Sequence, residues 1–327
     1  MQETTPSGDV HRTEHQITLQ AAPEDVFALV ADVTRWPRIF PPTVYADYAE
    51  RGADEERIRL WATANGEVKS WTSRRHLDRE RLSVAFRQEV SQPPVAAMGG
   101  EWLIEPVSPG RTRVRLLHDF QAVGDDPEKV AWIHRAVDRN SDAELAALRS
   151  AAENDDPGLV HSFDDSVRVA GTAKDVYDFI YDAGRWAERL PHVARVELTE
   201  DTPNVQTLEM DTRTADGSVH TTKSVRICFP HDTIVYKQLQ TPALMSAHTG
   251  RWRIEEDAGG VVVTSAHTVV IRPEAIPSVL GEDATVADAR TFVRGALGRN
   301  STATMNHAKA YAERNAAAAA ASRAAAP

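Results

Sequence analysis

Residues 25–41 read Asp-Val-Phe-Ala-Leu-Val-Ala-Asp-Val-Thr-Arg-Trp-Pro-Arg-Ile-Phe-Pro, and residues 175–191 read Asp-Val-Tyr-Asp-Phe-Ile-Tyr-Asp-Ala-Gly-Arg-Trp-Ala-Glu-Arg-Leu-Pro. Both stretches begin with Asp-Val and an aromatic residue and continue to Asp, Arg-Trp and Pro at the same spacing. Later matches keep the order of the chain, namely Gly100 with Gly250, His118 with His267, and Arg139 with Arg299. An ordered self-similarity of this length indicates two tandem copies of one folding unit.

The domain boundaries follow from this repeat. The chain has 327 residues, which is more than twice the roughly 150 residues of a typical domain. The run from Glu153 to Gly158 is charged and rich in turn-forming residues, as linkers often are. We therefore expect an N-terminal domain over residues 1–155 and a C-terminal domain over 156–315. An alanine-rich tail over 316–327 receives no role.

Composition excludes several classes of protein. Acidic residues outnumber basic ones by 48 to 37, for a formal net charge of −11, which argues against nucleic-acid binding and against docking on anionic membranes. The single cysteine rules out an intramolecular disulfide and a cysteine-based zinc site. The sequence shows no apolar stretch of 18 residues and no signal-peptide pattern. We expect a cytoplasmic protein without a metal site.

Each half repeats the same series of elements. A strand precedes a short helix, several alternating segments predict antiparallel strands, and a long amphipathic helix closes the unit. This order is typical of an α+β unit in which one curved sheet wraps around the long helix and leaves a cavity between them. The expected strands cover about 13–20 and 162–170, the short helices begin at Pro23 and Ala173, and the long helices cover about 127–153 and 282–315.

Three polar residues interrupt predicted apolar faces in the first half. Strand alternation places His118 among inward apolar residues of segment 111–120, and it places Arg75 on the same face as Trp71. Helical spacing places Glu144 on the apolar stripe of the long helix. The alternatives are a satisfied core histidine, an arginine facing solvent, and a glutamate at the edge of the stripe. Together the three residues predict a polar constellation inside the cavity.

Five short segments also carry a resemblance to a known family. In chain order they resemble segments of the aromatase/cyclases of bacterial type II polyketide synthases, which belong to the START-like, helix-grip superfamily. Residues 11–150 resemble single-domain members that direct C7–C12 first-ring closure, and residues 160–315 resemble the same fold more loosely. The whole chain is similar to the di-domain class. The segments are Ile39–Thr43, Trp71–Arg75, Gly100–Trp102, His118–Phe120 and Arg139–Ser141.

The resemblance implies a fold and a chemistry. The fold is a seven-stranded antiparallel sheet around a long C-terminal helix, with an interior pocket. The pocket would receive a poly-β-ketone that phosphopantetheine tethers to an acyl carrier protein, in company with other type II synthase subunits and without a cofactor. Arg75, His118 and Glu144 match the catalytic arginine, histidine and aspartate of the single-domain relatives, with glutamate in place of aspartate. Candidate pocket walls are Trp36, Phe40, Trp71, Ser73, Phe86, Trp102 and Asn140.

The second half departs further from the family pattern. It keeps Arg226 and His267, but Thr304 stands where the first half has Glu144, and Thr222 replaces Trp71. These changes put in doubt whether the second pocket performs the same step. One interpretation makes the first domain catalytic and the second a scaffold for synthase partners.

The resemblance therefore predicts C7–C12 aldol cyclisation and dehydrative aromatisation of an unreduced chain. Two alternatives stay open, namely an aromatase that acts on an already cyclised, C9-reduced polyketide and a non-catalytic START-like binder of an apolar ligand. Docking of an acidic carrier protein needs a local basic patch. The candidates for this patch are Arg135 and Arg139, with Arg51 or Arg111.

Overall fold

The computed structural model describes residues 8–154, 156–213 and 217–324. The chain divides into two compact units, Met1–Asp155 and Asp156–Pro327. Asp155, where the predicted first domain ends, and residues 325–327 of the predicted tail lie outside the described residues. Within the described part, no helix is long and apolar enough to cross a membrane.

The first unit is one antiparallel sheet with a long helix. Its seven strands lie in the order β1-β7-β6-β5-β4-β3-β2, so that each strand from β2 to β7 pairs with its chain neighbour and β1 adds to β7 at the edge. The elements are β1 (His11–Leu19), α1 (Pro23–Ala31), α2 (Trp36–Ile39), β2 (Thr43–Arg51), β3 (Glu55–Ala64), β4 (Glu67–Asp78), β5 (Ser83–Val90), β6 (Val95–Ser108), β7 (Arg111–Ala122) and α3 (Pro127–Glu153).

The second unit repeats this topology, with the strand order β8-β14-β13-β12-β11-β10-β9. The elements are β8 (Val160–Val169), α4 (Ala173–Tyr181), α5 (Trp186–Arg189), β9 (Val193–Thr202), β10 (Val205–Arg213), β11 (Val219–Phe229), β12 (Thr233–Gln240), β13 (Met245–Asp257), β14 (Gly260–Ile271), α6 (Ile276–Leu280) and α7 (Val286–Ala324). The predicted fold class, two tandem helix-grip units, is confirmed.

The last helix differs from its predicted bounds at both ends. It begins at Val286, because Thr285 and Asp288 exchange side-chain hydrogen bonds with each other's backbone N–H groups and so cap the first turn. It continues to Ala324 through the predicted tail, since alanine has the highest helix propensity. The alanine-rich segment 316–324 is therefore helical.

The long helix α3 packs against the sheet at both ends and leaves space between. Leu145 and Leu148, near its C-terminal end, join a core cluster with α1 and several strands. Ile133 and Val137, near its N-terminal end, join a separate cluster with Phe120. The stretch of α3 between these clusters faces a cavity.

Gly100 lies at a position of the sheet that has no room for a side chain. It lies on β6 directly between Phe86 of β5 and His118 of β7. A Cβ atom at Gly100 would lie 1.9 Å from the carbonyl oxygen of Leu117 and 2.7 Å from Cζ of Phe86. The missing side chain therefore lets the Phe86 ring lie across the strand towards His118.

We expect Gly100→Ala to destabilise the protein by about 1–3 kcal/mol, because the new methyl group overpacks against a backbone oxygen that cannot move away. The matched control is Gly99→Ala, whose Cβ would meet only the end of the flexible Arg87 side chain. Urea denaturation measures both variants, and the account is wrong if both lose the same stability.

Candidate functional site

The first unit contains two adjoining pockets, which are named here the outer and the inner chamber of its cavity. The outer chamber measures about 130 Å³ and the inner one about 90 Å³. They share His118, Glu144 and Trp71, among other residues. The inner chamber contains Arg75 as well, so the three predicted polar residues line one space. The predicted walls Trp36, Phe40, Trp71, Ser73, Phe86 and Trp102 also line the inner chamber, and Asn140 lines the outer one.

Arg75 closes the deep end of this cavity and is 1% exposed. Its Nη2 donates to the carbonyl oxygen of Val30 (2.9 Å), and its Nη1 donates to that of Ala31 (3.1 Å). These carbonyls belong to the last turn of α1, so the guanidinium satisfies acceptors that the helix itself leaves open. The ring of Trp36 lies 5.2 Å from the guanidinium carbon, within range of a cation–π contact.

Glu56 is the counter-ion of Arg75. Its Oε2 accepts a hydrogen bond from Arg75 Nη1 at 3.0 Å, and both side chains are almost fully buried. Sequence reasoning missed Glu56, although strand alternation could have found it, since Glu56 shares the inward face of β3 with Ile58 and Leu60. Burial lowers the pKa of Arg75 and raises the pKa of Glu56. Their mutual attraction opposes both shifts.

His118 lies at the junction of the two chambers. Phe86 meets its ring edge-to-face at a centroid distance of 5.5 Å. Its Nδ1 is buried and has no hydrogen-bond partner among the described residues. Burial lowers the pKa of His118 to about 4, so the imidazole is neutral at pH 7 and can accept a proton.

Further buried polar atoms around His118 also lack partners in the part of the chain that the structure covers. They are Oγ1 of Thr13, Nδ1 of His15 and Oγ of Ser141. Thr13 pairs directly with His118 across β1 and β7. Buried polar groups are normally satisfied by protein or water, so this region suits bound water or the oxygen atoms of a ligand.

Asn140 is the predicted wall residue that lines the outer chamber alone. Asn140 donates from Nδ2 to the carbonyl oxygen of Thr63 (2.9 Å), which ties α3 to the end of β3.

The arginines of the predicted basic patch do not all lie at the same end of the sheet. Arg135 and Arg139 are exposed on the part of α3 that borders the outer chamber. Arg51 ends β2 beside Glu56 and Arg111 begins β7, whereas Ala64 and Val95 line the outer chamber at the opposite strand ends. The prediction for Arg51 and Arg111 failed because it rested on charge alone, which does not indicate at which end of the sheet an arginine lies.

The second unit encloses its own cavity of about 120 Å³. Arg226, His267 and Thr304 all line it. Arg226 repeats the helix cap, since its Nη2 donates to the carbonyl oxygen of Ile180 at 2.6 Å and its guanidinium carbon lies 5.3 Å from the Trp186 ring. Thr304 donates its hydroxyl to the carbonyl oxygen of Asn300 (2.9 Å), one turn earlier in α7.

Arg226 has lost the counter-ion that Arg75 has. Gln206 occupies the position opposite Arg226 in the β10–β11 register, where Glu56 lies opposite Arg75 in the first unit. In the described residues, Arg226 makes no ion pair with a carboxylate. Glu200 accepts a hydrogen bond from Gln206 and attracts Arg226 from behind it. The second cavity therefore borders a buried positive charge that, among the described residues, no carboxylate contacts directly.

His267 is the centre of a hydrogen-bonded cluster that sequence reasoning missed. Its Nδ1 lies 3.1 Å from Oη of Tyr236 and 3.1 Å from Nε2 of His248, and its Nε2 lies 3.2 Å from Oγ of Ser265. In the first unit, the register places Phe86, Met98 and Leu116 at the three corresponding positions. Alternation within one strand shows the face on which each polar residue lies. The contacts among residues of different strands follow only from the register between the strands.

No group of three or more His, Cys, Asp or Glu in the described ranges is placed to hold a metal ion. The two cavities differ most around their matching histidines: Phe86, Met98 and Leu116 surround His118, whereas Tyr236, His248 and Ser265 contact His267.

Comparisons with known proteins are consistent over both units. A family model described as "Polyketide cyclase / dehydrase and lipid transport" matches residues 10–153 and again residues 160–313. The granaticin polyketide synthase bifunctional cyclase/dehydratase of Streptomyces violaceoruber is 50% identical over 312 residues, which cover 94% of this chain and 96% of that protein. The actinorhodin polyketide synthase bifunctional cyclase/dehydratase of Streptomyces coelicolor is 47% identical over 314 residues, covering 92% and 97%.

Two solved structures are similar over the whole architecture. The di-domain ARO/CYC BexL of the BE-7585A biosynthetic pathway has 57% identity and a TM-score of 0.82, with 93% of this chain and 99% of that chain covered. The di-domain ARO/CYC StfQ of the steffimycin pathway has 37% identity and a TM-score of 0.80 at the same coverage.

We expect Arg75→Met to destabilise the protein by about 3–5 kcal/mol, because it leaves the buried Glu56 carboxylate without its partner. Glu56→Gln is the matched variant, since it installs the arrangement that Gln206 and Arg226 adopt naturally, and it should lose less than half as much. Urea denaturation followed by tryptophan fluorescence measures both, and equal losses would contradict the assigned ion pair.

Stability should also depend on the buried histidines. The pKa of His118 and of His267 is about 4 in the folded chain, below the ordinary value of about 6.5. The unfolded chain therefore binds more protons between these values, so the stabilisation is complete above about pH 6.5 and is lost as the pH falls towards 4. Urea unfolding at several pH values should show a shallower fall for His118→Gln than for the wild type, and identical slopes would contradict the shift.

Proposed function

Because this chain belongs to the polyketide cyclase/dehydrase and lipid transport family, we propose that it closes and dehydrates the first ring of a carrier-tethered poly-β-ketone. The chain is a di-domain aromatase/cyclase, an enzyme of the cyclase/dehydratase type found in type II polyketide biosynthesis. The finer assignment is C7–C12 closure of an unreduced chain. The meeting of Arg75, His118 and Glu144 in one aromatic-walled cavity carries this proposal.

The cavity suits ring closure because a flexible chain must first be held in one folded register. Flat side chains such as Trp36, Phe40 and Trp102 restrict the chain to planar arrangements, and orientation of this kind lowers the entropic part of the barrier. The two chambers join at His118 and Glu144. A bend of the chain at this junction would bring two distant carbons together.

His118 is the proposed proton-transfer group of the aldol step. Its neutral imidazole takes a proton from a methylene group between two carbonyls, and the enolate carbon then attacks the distant carbonyl carbon. The new carbon–carbon bond leaves an alkoxide, which takes the proton back from the imidazolium. The step is balanced and needs no external reagent, and general acid–base catalysis of this kind supplies about 10²–10⁴-fold in rate.

Arg75 and Glu144 have supporting roles in the proposal. Arg75 is fixed by two carbonyls and by Glu56, so it presents a rigid cationic wall to ketone oxygens at the deep end of the cavity. Glu144 lines both chambers, as His118 does. Its carboxylate would exchange protons with the chain or stabilise the imidazolium there.

The carrier protein would deliver the chain through the outer chamber. Arg135 and Arg139 are exposed on α3 beside this chamber, and arginines bind acidic partners and phosphate groups well. The proposed docking surface therefore contains Arg135 and Arg139, on the α3 side of the cavity, without Arg51 and Arg111.

Reconstitution with a minimal type II synthase tests the proposal, with products identified by mass spectrometry and NMR. The wild type should yield a C7–C12 aromatic product, and His118→Gln should yield at least about 100-fold less of it, with shunt products instead. His76→Gln, an exposed histidine on the outer face of β4, is the matched control and should behave as the wild type. A wild-type product profile from His118→Gln would refute the assignment.

The same assay separates the alternatives. Activity that appears only after a ketoreductase is added would identify an aromatase for a C9-reduced ring. If the folded protein changes the products in neither assay, it is a START-like binder without catalytic activity.

A further inference from the structure

We infer that the cavity of the second unit is a separate dehydration site, in which His267 removes the α-proton of a β-hydroxy ketone and Tyr236 protonates the leaving hydroxyl. The inference rests on the proposed function, since it concerns the second step of that reaction. It gives the second unit a catalytic role in place of a scaffold role. Four features of the cavity carry it.

The first feature is a row of residues across three strands. Tyr236 of β12, Gly250 of β13 and His267 of β14 lie opposite one another in register. A Cβ atom at Gly250 would lie 2.3 Å from Oη of Tyr236. The glycine therefore lets the tyrosine ring cross β13, so that its hydroxyl meets His267 Nδ1 at 3.1 Å inside the cavity.

The second feature is the protonation state of His267 and Tyr236, which burial determines. Ser265 lies at Nε2 of His267 but does not line the cavity. An Nε2–H donated to Ser265 makes Nδ1 the acceptor, and Nδ1 is then available to a substrate proton once the Tyr236 hydroxyl turns to the leaving group and the substrate displaces the His248 contact. Burial lowers the pKa of His267 to about 4 and raises the pKa of Tyr236. At neutral pH the histidine is thus a base, and the tyrosine keeps its proton as an acid.

His267 and Tyr236 together supply the base and the acid that the elimination of water needs. Nδ1 of His267 takes the proton from the carbon next to the carbonyl, the carbon–carbon double bond forms, and the bond from the neighbouring carbon to its hydroxyl breaks. Tyr236 gives its proton to the departing oxygen, which leaves as water. The proton on His267 then passes over the 3.1 Å contact to Tyr236, and both groups return to their starting form.

The third feature is the charge of Arg226. Removal of the α-proton places negative charge on the carbonyl oxygen, and a fixed cation in a buried site stabilises such charge. Arg226 lines this cavity, is 2% exposed, and faces Gln206 rather than a carboxylate in the strand register. Within the described residues no carboxylate contacts Arg226 directly, since Glu200 lies behind Gln206, whereas Glu56 contacts Arg75 at 3.0 Å.

The fourth feature is the contrast with the first cavity. There, Phe86 and Met98 occupy the positions of Tyr236 and His248. Neither side chain can donate a proton to a leaving hydroxyl. The acid that dehydration needs is thus present beside the histidine of the second unit.

The test uses the full-length protein and a synthetic thioester of an already cyclised, still hydrated β-hydroxy ketone, with water loss followed by absorbance and mass spectrometry. Tyr236→Phe and His267→Asn should each slow dehydration by about 100-fold or more. Tyr311→Phe, on α7 and outside the cavity, is the matched control. Tyr236→Phe removes a single oxygen atom, so it tests the inference even if His267→Asn fails to fold.

Wild-type dehydration rates in folded Tyr236→Phe and His267→Asn would overturn the inference. So would loss of dehydration in His118→Gln alone, because the first cavity would then perform both steps. If the wild type dehydrates the preformed ring but closes no ring from a linear chain, the proposed function fails and the second site stands.

Discussion

A buried guanidinium at the end of a short helix holds each unit together around its cavity. Arg75 reaches from the sheet to the last carbonyls of α1, and Arg226 reaches in the same way to those of α4. The C-terminal end of a helix carries partial negative charge, so a cation there is stabilised. The contact fixes the short helix against the sheet and sets the deep wall of the cavity. The Arg-Trp pair of each repeat adds the aromatic face that covers this cation.

The two copies keep this cap and differ in what surrounds it. In the first unit, Glu56 neutralises the arginine and aromatic side chains form the walls. In the second, glutamine replaces the carboxylate, and a cluster around His267 replaces apolar neighbours. Bond formation needs mainly the correct fold of a long chain, whereas loss of water needs an acid and a base in contact. The differences between the two cavities match the two proposed steps.

Residue patterns predicted the sheets, the helices and the inward direction of Arg75 and His118, because periodicity reports the face that a side chain occupies. They did not predict Glu56 or the partners of His267, because these contacts depend on the register between strands. They also misplaced the basic patch, since Arg51 and Arg111 lie at strand ends remote from the outer chamber. That no carboxylate in the described part of the chain contacts Arg226 directly could be seen only once Gln206 was placed opposite it.

The claim that the two cavities perform successive steps is tested most directly by mixing two inactive full-length variants in the reconstituted synthase. One carries His118→Gln in the first cavity, and the other carries Tyr236→Phe in the second. If ring closure and dehydration are separate, the mixture should restore the aromatic product that neither variant makes alone, because the carrier-bound ring can pass between them. A mixture that makes no more aromatic product than the two variants separately would contradict the account.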